Sequence, residues 1–157
     1  YLTGNFGLAA QPSGWKLVPP SPLQTGAWKE QGLPFYSHTV SYEADYRVDK
    51  SAGRILVGLS KWHGTVAEVL VNGKSAGIIE SQPYETDITA LVKPGVNRVG
   101  VVVYGSLKNL LGPHHGKINR GLTSPISFRS APDHTPPGSG YDLEGYGLME
   151  PFRVVTR

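Results

Sequence analysis

An Asn-Gly pair between two apolar runs forces a chain to fold back on itself, and residues 66–79, VAEVLVNGKSAGII, hold one at Asn72-Gly73. A type I′ turn needs positive φ at both central residues, which makes Asn-Gly the strongest short hairpin signal. The neighbouring segments read as strands too. In His38 to Val48, Val40, Tyr42, Ala44, Tyr46 and Val48 share one face and Thr39, Ser41, Glu43, Asp45 and Arg47 the other. Such alternation predicts a strand with one packed and one wet face. Asp49 to Gly53 turns the chain, and Arg54 to Leu59 runs back through Ile55, Val57 and Leu59. Val96 to Tyr104 is apolar on both faces, which places it in the middle of a sheet.

Shorter strands are expected at the opening segment, where Leu2, Phe6 and Leu8 alternate, at Trp15 to Val18, and at Pro151 to Thr156. Ser21 to Pro34 reads as a loop around Trp28, and Ser60 to Gly64 as a loop leading into the hairpin. Thr86 to Val92 reads as a turn or one helical turn capped by Asp87 or Thr86. Gly105 to Gly147 holds eight glycines and five prolines, with Ile126 and Phe128 as its strand nucleus. So long an irregular stretch is usually functional or else disordered. No helical period occurs. The fold class is all-β, an antiparallel β-sandwich with long loops.

At 157 residues, 39% hydrophobic and 17% charged, the chain fits a single sandwich domain over 1–157. A domain of this length buries roughly two thirds of its unfolded surface. Fifteen basic and twelve acidic residues give a net charge of +3 with no run of like sign. With no Lys/Arg stripe, zinc spacing or RNA-binding motif, this argues against nucleic acid. There are no cysteines, which excludes a disulfide scaffold and leaves the compartment open. No apolar run reaches the ~18 residues of a membrane span. The sequence opens on Tyr1 without Met or signal peptide, and reads as a piece excised from a larger multi-domain enzyme.

Ala67 to Lys74 resembles the strand-and-turn motif of the sugar-binding jelly roll in family two glycoside hydrolases. A Tyr-x-x-Asp-Ile element and a Gly-x-Asn-x-Val strand follow there as well, matched here by Tyr84, Asp87-Ile88 and Gly95 to Val99. Gln31 to Ser37 and Asn109 to His115 resemble segments of the accessory β-domains of rhamnosidase-like hydrolases, and Tyr1 to Leu8 is compatible with them. The resemblance implies a galactose-binding-domain-like fold and a non-catalytic carbohydrate-binding module. That module holds an oligo- or polysaccharide for a catalytic domain of the same polypeptide, secreted or periplasmic and bacterial. A structural spacer that packs on the catalytic domain and binds no sugar is the alternative, and the same aromatics serve both.

Sugar sites need flat aromatic faces for pyranose C–H surfaces and a few rigid polar groups for hydroxyls. In a sandwich, loops supply them. Trp62, with Lys61 and His63, leads the candidates, since the family's loop before the hairpin often faces the sugar or the catalytic domain. Trp28 is a second platform or else a lid over the core, with Tyr36 shortly after it. His114, His115, Asp133, Tyr141 and Asp142 complete the carbohydrate-binding set. Trp15 is assigned to the core, and Tyr42, Tyr46 and Tyr104 to inward packing.

Catalysis is not expected. Glycoside cleavage generally needs two carboxyl groups roughly 5–10 Å apart across a cleft. Glu43 and Asp45 meet the spacing on a flat wet face without one. Ser37-His38 and Asp133-His134 are pieces of a triad without a nucleophile elbow. His114-His115 lacks zinc spacing. No cofactor is expected. A structural calcium held by loop carbonyls is compatible with the resemblance, although no Asp-x-Asp-x-Asp loop marks it.

Overall fold

The computed structural model describes residues 4–48, 53–116, 123–129 and 132–157. Leu2 of the opening segment and the turn residues 49–52 lie outside them. The chain gathers into two compact units, Tyr1–Ser37 with Ser106–Gly145, and His38–Gly105 with Tyr146–Arg157.

The first unit carries a two-stranded ribbon, β1 (Gly7–Ala10) and β2 (Trp15–Val18), antiparallel with Leu8 opposite Leu17 and Ala10 opposite Trp15. Its other regular pieces are short: a 3₁₀ turn at Trp28–Gln31, the single-turn helix α1 (Lys108–Leu111), and 3₁₀ turns at Pro125–Phe128 and Gly138–Gly140. Ile126 and Phe128 thus lie in a helical turn and not in a strand. Pro125 presets the first φ, and Ser124 and Ser127 close a capping box around the turn. Side chains replace ladders in fastening residues 141–145. The Asn109 amide donates to Glu144 O at 2.9 Å and accepts from Glu144 N at 2.8 Å. Lys108 Nζ donates to Pro113 O and Asp142 O, both at 2.7 Å, and lies 3.2 Å from the Asp142 carboxylate. Lys29 Nζ donates to Leu143 O at 2.8 Å.

The second unit is the sandwich. One sheet takes β3 (Thr39–Val48), β9 (Gly95–Tyr104), β6 (Val66–Val71) and β7 (Lys74–Ile79) in that order. The other takes β11 (Arg153–Thr156), β4 (Ile55–Gly58) and β8 (Glu85–Asp87). A two-residue pair, β5 (Trp62–His63) with β10 (Gly147–Leu148), stands apart. All pairings are antiparallel. Between the sheets lie Ile55, Val57, Ala67, Val69, Val71, Val99, Val101, Val103, Ile79 and Ile88, all buried. A fully buried aliphatic side chain of this size contributes about 1.5–3 kcal/mol.

The expected alternation of β3 holds, and β9 sits between two partners as its apolar character requires. Its outer face departs from expectation at Tyr104, which is exposed and donates from its hydroxyl to Glu68 at 3.1 Å. Period two puts Tyr104 with Val102 and Gly100, opposite to Val99, Val101 and Val103.

The hairpin turns on Asn72 and Gly73 at φ +50° and +79°, as a type I′ turn demands. Asn97, fully buried, closes the same corner. Its Oδ1 accepts from Asn72 Nδ2 at 2.9 Å and Lys93 N at 3.0 Å; its Nδ2 donates to Lys93 O at 2.7 Å and Gly95 O at 3.1 Å. Asn72 also ties to β9 through its own N–H to Arg98 O, 2.8 Å, and through Arg98 N to Asn72 Oδ1, 3.1 Å. Asp87 caps the turn that follows β8. Its Oδ1 accepts from Thr89 Oγ1 at 2.6 Å and Thr89 N at 2.9 Å, and its Oδ2 from Arg54 Nε at 2.7 Å. Hydrogen bonds from the Thr89 side chain, then from Arg54 and the Thr89 backbone, hold the Asp87 carboxyl at about 2.

Two outcomes follow from these corners. Asn97→Ala leaves several main-chain groups and the Asn72 amide unserved and costs about 3 kcal/mol, read as a lower urea midpoint; a loss below about 1 kcal/mol would contradict the bracket. Because the folded pKa of Asp87 lies below its ordinary 3.8, the stabilisation it brings is complete above that value and fades as pH falls through about 2. Thr89→Ala should therefore raise the Asp87 pKa toward 3.8, measured by carboxyl NMR titration.

Candidate functional site

The loops of the first unit enclose two hollows. The larger, about 650 Å³, opens beside β1 and β2 and is lined by Trp15, Lys29, Glu30, Gln31, Ser139 and Tyr141, together with main-chain surface of β1. The smaller, about 560 Å³, is apolar, walled by Phe6, Leu17, Phe35, Tyr36, Leu110 and His114. Both volumes fall in the range of small-molecule sites, about 300–1,000 Å³.

A run of aromatic rings stands between them. Trp15 meets Phe35 edge-on at 5.3 Å and Tyr141 at 5.8 Å; Phe35 meets Tyr141 and His114 at 5.5 Å each. His115 adds a contact to Tyr141 at 4.7 Å. Edge-to-face geometry suits the ring quadrupoles and fixes each ring by its neighbours. His114 Nε2 lies 2.9 Å from Asn109 O. A carbonyl only accepts, so Nε2 carries the hydrogen. Burial pushes the His114 pKa below its ordinary value.

Gly32 at φ +86° stops the 3₁₀ turn and brings its carbonyl within 2.8 Å of Leu8 N, so Lys29, Glu30 and Gln31 project beside the β1–β2 ribbon. Lys29 is held by Leu143 O and lies 4.0 Å from Glu30 Oε1. Gln31 is engaged with the main chain of Gln24. The Glu30 side chain is 73% exposed.

The sequence-derived candidates separate. Tyr141 joins the larger hollow, and Tyr36 and His114 the smaller. His115 is half-buried against Tyr141. Asp142 is half-buried and committed to Lys108. Asp133 is exposed and lines neither hollow. Of the two readings of Trp28 the structure supports the lid over the core and corrects the platform: at 1% exposure, packed edge-on to Tyr36 at 5.8 Å, it has no face to offer a ligand. Trp15 requires the opposite correction. It is half-buried and lines the larger hollow, because β2 belongs to a two-stranded ribbon, in which each strand is an edge. Lys29, Glu30, Gln31 and Ser139 were missed; the glycines at 26 and 32 that bracket the 3₁₀ turn were the available signal.

In the second unit, Trp62 and His63 form a strand and not a loop, paired with Gly147 and Leu148. Trp62 is half-buried with its ring 5.6 Å from Tyr84 at 87°; His63 is exposed, 5.2 Å from Tyr146. Lys61 is exposed, and its carbonyl accepts from Met149 N and Glu150 N. Gly64 must lack a side chain there, since a Cβ would fall 2.7 Å from Val103 Cγ1 and 2.8 Å from Tyr104 O. Glu43 and Asp45 share Arg98 at 2.7 and 3.5 Å on the exposed sheet face.

Among the described residues no three His, Asp or Glu gather in one place. No helix among them is long and apolar enough to cross a membrane.

Fold and loops together define an antiparallel β-sandwich of the kind built into glycoside hydrolases. The rhamnosidase of Novosphingobium sp. PP1Y superposes with a TM-score of 0.60 at 21% identity, over 97% of this chain and 14% of that one. The β-glucuronidase of Bifidobacterium dentium, solved with coumarin-3-O-glucuronide, gives 0.51 at 18% identity, over 96% of this chain and 29% of that one. These likenesses show a common fold. In sequence, a protein of Formosa agariphila assigned as a β-glucuronidase is 32% identical over 89 residues, 54% of this chain and 8% of that protein. The chain thus spans a small part of each relative. No protein-family model matches it.

The buried Trp28 yields a direct check. Trp28→Ala should cost about 3–5 kcal/mol of stability by removing a large core side chain. A variant that kept its unfolding midpoint while losing ligand binding would restore Trp28 as a platform.

Proposed function

We propose that this chain is a non-catalytic carbohydrate-binding module of a larger carbohydrate-active enzyme, and that the larger hollow of its first unit holds the sugar. The observation that carries this is the pairing of two half-buried rings, Trp15 and Tyr141, with the exposed Glu30 and Ser139 in the lining of one hollow. Rings meet the C–H face of a pyranose, and the polar groups meet its hydroxyls. Among the described residues of its lining, Glu30 is the acidic group. Binding at a single site is weak and gains strength through the attached enzyme. The fold similarity supports a glycoside hydrolase as the parent, which we place outside the cytoplasm, with rhamnosides and, as the charged contrast, glucuronides as first sugars to try.

A second reading, a spacer that packs against the catalytic domain, draws on the exposure of Leu107, Leu110 and Leu111 around α1. Exposed apolar patches mark interaction surfaces. The rim of Trp62, Lys61 and His63 remains a competing sugar site on the second unit.

Affinity electrophoresis in a panel of neutral and acidic polysaccharides separates these. Tyr141→Ala should abolish retardation while the chain still unfolds cooperatively, at a cost of about 1–3 kcal/mol for the lost ring contacts, and Trp62→Ala should retain retardation. The reverse pattern moves the site to the Trp62 rim. Free migration of the unmodified chain through every gel favours the spacer.

A further inference from the structure

We infer that the larger hollow selects a neutral, hydroxyl-rich sugar ring and turns away sugars that carry a carboxylate. This rests on the reading of that hollow as a glycan site. Among the described residues of its lining, Lys29 and Glu30 are the charged side chains, and none is an arginine whose fork could pair with a carboxylate. They are not equally available. Lys29 is two-thirds buried, with its ammonium on the Leu143 carbonyl at 2.8 Å. Glu30 stands 73% exposed, and its charged partner among the described residues is that same ammonium at 4.0 Å, beyond hydrogen-bond reach.

The charge free to meet a ligand is therefore negative. An ionised carboxylate has two oxygens and only accepts, so Glu30 can take hydrogen bonds from two adjacent hydroxyls of one sugar ring. A uronate in the same place meets a like charge. To find a cation it must draw Lys29 from Leu143 O, leaving the carbonyl of a buried residue unserved. Gln31 offers no substitute, because its amide is already engaged with Gln24 O at 3.1 Å and its carbonyl with Gln24 N at 2.8 Å.

The test is calorimetric titration of the full chain with matched methyl glycosides that differ only at C6: β-galactoside against β-galacturonide, and β-glucoside against β-glucuronide. The neutral member of at least one pair should bind more tightly, by about tenfold at low salt, with the gap narrowing as salt screens the repulsion. Glu30→Gln keeps the size of an exposed side chain, so the fold should persist, checked by thermal melting. In that variant the neutral sugar should lose affinity severalfold and the gap to the uronate should close. Equal or tighter binding of the uronates to the unmodified chain overturns the charge inference and leaves the glycan site standing, as does a gap that survives Glu30→Gln. If no glycoside of either pair binds, the glycan reading of the hollow fails and this inference falls with it.

Discussion

The sandwich hangs on a buried amide. Asn97 spends all four of its hydrogen-bonding positions on Asn72, Lys93 and Gly95, and in doing so fixes where the β6–β7 hairpin meets the start of β9. A fully satisfied polar group inside a core specifies one arrangement, since every alternative leaves donors and acceptors dry and unpaired. With that corner fixed, β9 lies between β3 and β6, and Val99, Val101 and Val103 point into the core with Val69 and Val71. A shift of one residue would turn each of these valines to water.

This gives a physical meaning to the Asn-Gly and Gly-x-Asn pattern on which the sequence resemblance to jelly rolls rests. Asn72-Gly73 and Gly95-x-Asn97 are two halves of one bracket, and Asp87 caps the turn between them. These residues are structural. They identify a frame, and a frame alone does not carry a function. That the first unit holds the hollow with aromatic and polar walls, while the motif lies in the second, accords with this division of labour.

Legibility followed the same line. The strands of the second unit were readable because period two and Asn-Gly chemistry act over a few residues. Tyr104 was misplaced because an all-apolar strand does not declare which face is outer. The first unit was hard to read because its order comes from side chains that bond main chain far away, as Asn109 does with Glu144 and Lys108 with Asp142. Composition marked residues 105–147 as unusual without revealing those pairings. For the aromatics the error was one of burial. Trp28 in a Pro/Gly-rich loop is sealed, and Trp15 in a strand is open to a hollow, since what decides exposure is the neighbouring layer and not the local conformation.

The ring cluster has an evolutionary consequence. Phe35 lines the smaller hollow and packs against Trp15 and Tyr141, which line the larger, so its ring belongs to a partition common to both. Any change of size at position 35 reshapes both chambers at once. A lineage that altered its preferred occupant through this partition would have to alter both pockets together, whereas drift at the rim, at Glu30 or Ser139, leaves the second chamber as it was.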